Sequence, residues 1–199
     1  MVVFAQKVQM TQVFDKTGAQ KAVTVLRLKK TVLCSKKTEQ RDKYNADVYG
    51  WVDERFRPTK SQEKKFKDIG PVRKIKEEKA EEDSGKTQGK EITIADFKLG
   101  DKVNIMSTSK GKGFAGTVKR HGFTTGPKTH GSCNWRKPGS IGPTYPQRTI
   151  KGRKMAGHMG VNRSIAKNLE IVAIREKENE IWVAGTVAGA NKSIVVISK

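Results

Sequence analysis

Gly111-Lys112-Gly113-Phe114-Ala115-Gly116 fits the GxGxxG pattern, and Val118 extends it to the GxGxxGxV form of kinase phosphate loops. Glycines at this spacing let backbone amides close on phosphate oxygens, and the motif follows a plausible strand, Val103 to Met106. The surroundings then depart from nucleotide enzymes. A dinucleotide fold needs a helix after the glycines and an acid about 20 residues further on. Thr117 to Gly126 reads as a poor helix, and no acid occurs before Glu170. A kinase needs a later lysine, a base aspartate and a metal-binding aspartate, and none can be placed. A Walker A loop fails because Thr117 and Val118 follow Gly116 in place of Lys and Ser or Thr. A nucleotide-dependent enzyme using Gly111 to Gly116 is thus a minor alternative, with no cofactor expected.

Three histidines, His121, His130 and His158, fall in the same region, where hydrolytic zinc chemistry would normally add a carboxylate and none is present. His130 with Cys133 offers two metal ligands at most, so no metal site and no catalytic residue is expected. Phe114, Phe123, Trp135 and Tyr145 are spread among basic residues, a pattern suited to stacking on unpaired bases. Trp135, flanked by Asn134 and Arg136, is the first of these to test.

Charge explains the setting. Between Asp101 and Glu170 there is no acid in 68 positions, where the chain average would give about seven, and the stretch holds 14 Lys and Arg. These account for 14 of a net +21, and the other 131 residues carry 27 basic and 20 acidic side chains, or +7. So concentrated a charge calls for a polyanion, either nucleic acid or an anionic membrane surface. No run approaches the roughly 18 apolar residues of a membrane span. Met1 to Gln12 lacks a signal-peptide layout, and the basic stretch offers no amphipathic helix for a membrane surface, so the expectation is an intracellular protein without a membrane partner. Cys34 and Cys133, with 98 residues between them, make no metal knuckle and no disulfide framework; they read as a strand residue and a loop residue.

The acid-free stretch also holds 11 of 19 glycines and four of six prolines, so it is expected as an extended, irregular arm with short turns, unable to order itself. Short strands flank it. Ala22 to Leu28, Val32 to Lys36, Ala46 to Val52 and Val103 to Met106 precede the arm, with a hairpin turn at Lys16-Thr17-Gly18. Leu169 to Ile174, Glu180 to Val187 and Ser193 to Ile197 follow it, separated by turns at Glu176 to Asn179 and Ala188 to Lys192. Strands of this length predict a mainly β fold, a small antiparallel barrel or sandwich whose two sets pair across the arm. Ser61 to Lys90 is rich in Lys and Glu, and Glu77 to Lys90 has no apolar residue but Ala80. It reads as a solvated linker preceded by a short helix.

Thr108-Ser109-Lys110-Gly111-Lys112-Gly113-Phe114-Ala115-Gly116, followed by Lys119-Arg120 and Gly122-Phe123, closely resembles the signature of the protein L-three family, the universal third protein of the large ribosomal subunit. His130-Gly131-Ser132, Pro138 to Gly142 and Lys151 to Gly160 continue the family pattern in order, Lys7 to Phe14 looks like its opening strand, and Val183 to Ile197 resembles its closing one. The resemblance is best in Val103 to Gly160 and weak in Ser35 to Lys90. Gln9 stands where the family usually has glycine, and the loop Pro143 to Thr149 is one residue shorter than in bacterial members. Some relatives carry a methylated glutamine two positions before a loop proline; Thr144 holds that place here, before Pro146.

The resemblance implies a structural constituent of the large subunit, bacterial in type, with a barrel of the translation-protein kind. It also implies direct binding of large-subunit ribosomal RNA near its 3′ end, a role in nucleating early assembly, and a loop extended toward the peptidyl transferase centre. Neighbouring large-subunit proteins would be its other partners and the cytoplasmic ribosome its location, with no small-molecule substrate. The expected layout is a barrel from 1–106 and 164–199, a charged insert at about 61–90, and an arm at 107–163. Lys110, Lys112, Lys119, Arg120, His130, Trp135, Arg136, Lys137, Arg148, Lys151, Arg153, Lys154 and Arg163 are expected to touch RNA. Gly111, Gly113, Gly116, Gly139, Gly142, Gly152, Gly157 and Gly160 are expected to permit close backbone approach. A non-ribosomal RNA-binding protein or nucleic-acid chaperone is the other alternative; it would bind arbitrary polyanions without residing in ribosomes.

Overall fold

The structure, a computed structural model, describes residues 1–14, 18–80 and 87–199. Along the chain run β1 (Val2–Phe14), β2 (Gln20–Leu28), β3 (Thr31–Lys37), α1 (Glu39–Asp42), β4 (Ala46–Val52), α2 (Lys60–Lys65), β5 (Val72–Lys79), β6 (Glu91–Ile92), β7 (Lys102–Thr108), β8 (Phe114–Ala115), α3 (Thr117–His121), β9 (Gly157–His158), β10 (Arg163–Arg175), β11 (Glu180–Ala184) and β12 (Ile194–Ser198). Two compact units result, Met1–Thr108 with Arg163–Lys199, and Ser109–Asn162.

In the larger unit six antiparallel strands close a barrel in the order β1-β12-β7-β10-β11-β2. Strands from before and after the acid-free stretch pair as expected: β7 with β10 from Thr108↔Arg163 to Lys102↔Glu170, and β1 with β12 from Val2↔Ser198 to Gln6↔Ile194. Strand alternation supplies the interior. Val3, Ala5, Leu26, Leu28, Val103, Ile105, Ile171, Ile181, Val183, Val195 and Ile197 form one buried cluster with Phe97 and Val187. At roughly 1.5–3 kcal/mol for each fully buried aliphatic side chain, this cluster dominates the unit's folding. Two polar contacts fix its rim. Lys7 is buried, and its ammonium donates to the carbonyls of Val187 at 2.7 Å and Gly189 at 3.2 Å. Arg27 and Glu180, opposite one another on β2 and β11, form an ion pair at 2.9 Å.

The strands Thr31–Lys37 and Ala46–Val52 do not enter the barrel. They belong to a second sheet ordered β5-β4-β3-β6. This sheet explains why Val2 to Ala5 of β1 and the whole of β4 are buried on both faces. Val2 packs with Leu33 and Tyr49 on one face of β1, while Val3 and Ala5 point into the barrel. In β4, Val48 and Val52 join Val32, Cys34, Phe66 and Val72 in a separate cluster.

The expectation of a solvated linker at Glu77 to Lys90 is corrected at its two described ends, which this sheet holds. Glu77 to Lys79 end β5, which pairs with β4 from Ala46↔Lys79 to Val52↔Val72, and the Leu33 amide donates to the Lys90 carbonyl at 3.0 Å. Residues 81–86 lie outside the described residues, as do Lys16 and Thr17 of the expected hairpin turn. The expected short helix is present as α2, opened by a Thr59–Gln62 capping box. Its neighbour Phe66 is buried and brings the insert into the second core.

Candidate nucleic-acid interface

Residues 109–162 contain eleven Lys and Arg and no acid. Only Ala115 and Thr117 among them are buried. Hydrogen bonds between the two ends of the segment give it shape instead. The Ser109 amide donates to the Asn162 carbonyl at 2.9 Å, Lys112 donates to Met159 at 2.9 Å, and Met159 donates to Gly113 at 2.9 Å. The short ladder continues as Phe114↔His158 and Ala115↔Gly157 between β8 and β9. Gly160 is indispensable to this closure. Its φ is +85°, and a Cβ there would lie 2.2 Å from the Lys110 carbonyl oxygen.

The chain after Gly116 forms α3, ended by Gly122 in the left-handed region, where the sequence predicted a poor helix. Its five residues are anchored by tertiary contacts in place of propensity. Arg120 Nη1 donates to the Met155 carbonyl at 2.8 Å, and His121 Nε2 lies 2.9 Å from the same oxygen. Gly157 sits against this tie, since a Cβ there would be 2.6 Å from Arg120 Nη1. Arg120 is therefore partly structural, although a guanidinium has donors left for a phosphate.

Three groups of expected site residues emerge. Lys110, Lys112 and Arg120 line a recess of about 390 Å³ with Ser109, His121, His158 and Gly160. Around Trp135, which is 41% exposed, Lys128 Nζ lies 5.0 Å and Arg136 Cζ 5.7 Å from the ring centroid. The third group centres on Arg153, whose Nη2 donates to the Ser140 carbonyl at 2.7 Å, between Gly139 and Gly142 in sequence. Lys119, Lys137, Arg148, Lys151 and Lys154 are exposed on the same unit without joining these groups. His130, with φ +58°, is exposed in a turn with Gly131. Arg163 falls elsewhere: it starts β10, opposite Thr108, in the larger unit.

Sequence reasoning passed over Lys128, whose place over Trp135 depends on a turn that bonds the Gly126 amide to the Trp135 carbonyl at 2.9 Å. The signal was available only as one more cation in the acid-free run. Gly116 and Gly142 have no positive φ, and a Cβ added at either would meet nothing within 4 Å, so nothing inside the protein demands glycine there. Gly111 is closer packed, since a Cβ there would lie 3.1 Å from Val161 Cγ2, while Gly113, Gly139 and Gly152 have positive φ.

Exposed cations, imidazoles, main-chain amides and partly exposed rings can hold phosphates and stack on planar groups. Lacking a carboxylate, residues 109–162 offer no acid for general-base or hard-metal chemistry. Among the described residues no cluster of three or more His, Cys, Asp or Glu is placed to hold a metal, and no helix is long and apolar enough to cross a membrane.

A closed six-stranded β-barrel whose chain is interrupted by an acid-free cationic unit defines the class as a basic β-barrel protein. The family model of ribosomal protein L3 matches residues 67–195. Large ribosomal subunit protein uL3 of Desulforapulum autotrophicum is 43% identical over 199 residues, covering 98% of this chain and 96% of the relative. The proteins of the same name from Streptococcus mutans and Bacillus mycoides are 42% and 40% identical, each over 98% of this chain and 94% of the relative. The chain belongs to the ribosomal protein L3 family, a structural family of the large ribosomal subunit.

Proposed function

We propose that this protein is built into the large ribosomal subunit by residues 109–162, which bind ribosomal RNA directly, near the 3′ end of the large-subunit RNA. The observation that carries the reading is eleven exposed cations, with no acid and almost no core, on one compact unit. Such a unit gains little from its own packing and much from phosphates. Lys110, Lys112 and Arg120 hold backbone phosphates at the recess, Trp135 and Tyr145 meet unpaired bases, and Gly116 and Gly142 leave room for RNA to approach the main chain. This contact forms early and helps nucleate assembly, and the loop carrying Trp135 and Tyr145 extends toward the peptidyl transferase centre. Neighbouring large-subunit proteins complete its surroundings in the cytoplasmic ribosome.

Ultraviolet crosslinking in isolated large subunits tests the assignment. Crosslinked peptides from 109–162 joined to large-subunit RNA are expected. Crosslinks confined to 61–80 or 87–90 would overturn it, and failure of the protein to co-sediment with large subunits would favour the free chaperone alternative.

A further inference from the structure

The larger unit carries a second cationic feature that the acid-free run does not announce. A groove of about 660 Å³ is lined by Lys29, Lys30, Trp51, Arg55, Arg73 and Lys192, together with Asp53 and Glu54. Five cations thus face two carboxylates. One carboxylate is already committed: Arg73 Nη1 donates to Asp53 Oδ2 at 2.8 Å, Arg55 donates its amide to Asp53 Oδ1 at 3.2 Å, and the guanidinium holds the Asp53 carboxyl below its usual range. Lys29 adds its charge to those acting on Asp53 without a close ion pair, and Lys30 and Lys192 have no ion pair among the described residues.

Their backbones are fixed by different elements. Lys29 donates its amide to the Phe4 carbonyl at 2.8 Å, the Lys30 carbonyl accepts from the Val52 amide at 3.0 Å, and the Lys192 amide donates to the Lys7 carbonyl at 2.7 Å. The barrel and the second sheet therefore hold three ammonium stems around one groove. Within it the Arg73 guanidinium lies over the buried Trp51 ring, 5.0 Å from its centroid. Trp51 below and Asp53 at its edge hold the guanidinium in place, while half of the Arg73 side chain stays exposed.

We infer that this groove is a second RNA site, in which Lys29, Lys30 and Lys192 grip the backbone of an unpaired strand and one base stacks on the exposed side of Arg73. A fixed guanidinium plane beside mobile ammonium groups matches a ligand that alternates planar rings with phosphates. An acidic protein segment would use the charges but not the plane. The site lies outside residues 109–162 and rests on the ribosomal reading of the chain only in naming RNA as the polyanion.

The test uses the full chain, a fluorescein-labelled oligouridylate of about ten nucleotides, and a duplex RNA of the same length as probes. Three chains are compared with wild type: Lys29→Gln/Lys30→Gln/Lys192→Gln, Arg73→Lys, and an arm variant Lys110→Gln/Lys112→Gln/Lys151→Gln/Lys154→Gln. Thermal melts confirm that each is folded. The groove triple variant is expected to lose about tenfold in affinity for the single strand and to flatten its salt slope by about two units. Arg73→Lys keeps the charge but loses the plane, and is expected to weaken the single strand about fivefold while sparing the duplex. Unchanged affinity in the groove triple variant overturns the site, and equal loss on both probes in Arg73→Lys overturns the stacked base. The arm variant reads residues 109–162 separately, so either region can fail alone.

Discussion

Glycines that look alike in the sequence do different work. Gly160 must accommodate φ +85° with the Lys110 carbonyl pressed against it, whereas Gly142 stands in open space with an ordinary φ. Gly160→Ala adds a left-handed alanine, costing about 1–3 kcal/mol, and a clash that the ladder between Gly113 and Met159 must yield to. Faster tryptic cleavage within residues 109–162 is expected, without a change in the melting of the barrel. Gly142→Ala is expected to leave cleavage unchanged and to weaken RNA binding several-fold; unaltered binding would remove Gly142 from the interface. The cysteines divide in a similar way. Cys34 is buried in β3, and burial pushes its thiol up to about 11, while Cys133 is exposed. One equivalent of iodoacetamide is expected to react at pH 8, at Cys133, with Cys34 labelled only after unfolding; two rapid equivalents would contradict the packing. A raised thiol pKa also has a pH consequence. The folded state keeps the Cys34 proton where the unfolded chain releases it, so this contribution to stability is complete below about 9 and is lost as pH rises through about 11.

At the scale of elements, the barrel strands were legible because apolar residues alternate in them: Val103 and Ile105, Ile181 and Val183, Val195 and Ile197 each show a strand with one buried face. β5 was not legible. In Val72–Lys79 only Val72 is buried, and the Lys and Glu that follow satisfy a strand through main-chain bonds to β4 while their side chains meet solvent. Membership of β3 and β4 in a second sheet was equally hidden, since pairing partners are not written in local pattern. In the candidate site, charge and glycine content marked the region, but the meeting of Arg120, His121 and Gly157 at the Met155 carbonyl depends on residues more than thirty positions apart. Phe66 provides the test of the insert's status. It packs with Cys34, Val48 and Val72, so Phe66→Ala is expected to lower stability by about 3–5 kcal/mol in denaturant unfolding. A solvated linker would show almost no change.

For the whole molecule, the division of apolar residues between the two units decides how each is held. The barrel and second sheet bury three clusters of hydrophobic side chains, whereas residues 109–162 bury Ala115 and Thr117 and rely on hydrogen bonds open to water. Each such bond contributes only about 0.5–1.5 kcal/mol net, and eleven like charges oppose compaction at low salt. Local opening of this unit is therefore far less costly than global unfolding. Limited trypsin digestion of the free protein is expected to cut first within 109–162, which offers eleven Lys and Arg, and to leave fragments from 1–108 and 163–199 associated through the β7–β10 and β1–β12 pairings. Large-subunit RNA is expected to slow those cuts, and the protection should fade as salt rises, because phosphate contacts release counterions at about 0.7 to 0.9 units of slope each. First cuts in the barrel, or protection indifferent to salt, would mean that the cationic unit is held by its own structure and that charge is not what joins it to RNA.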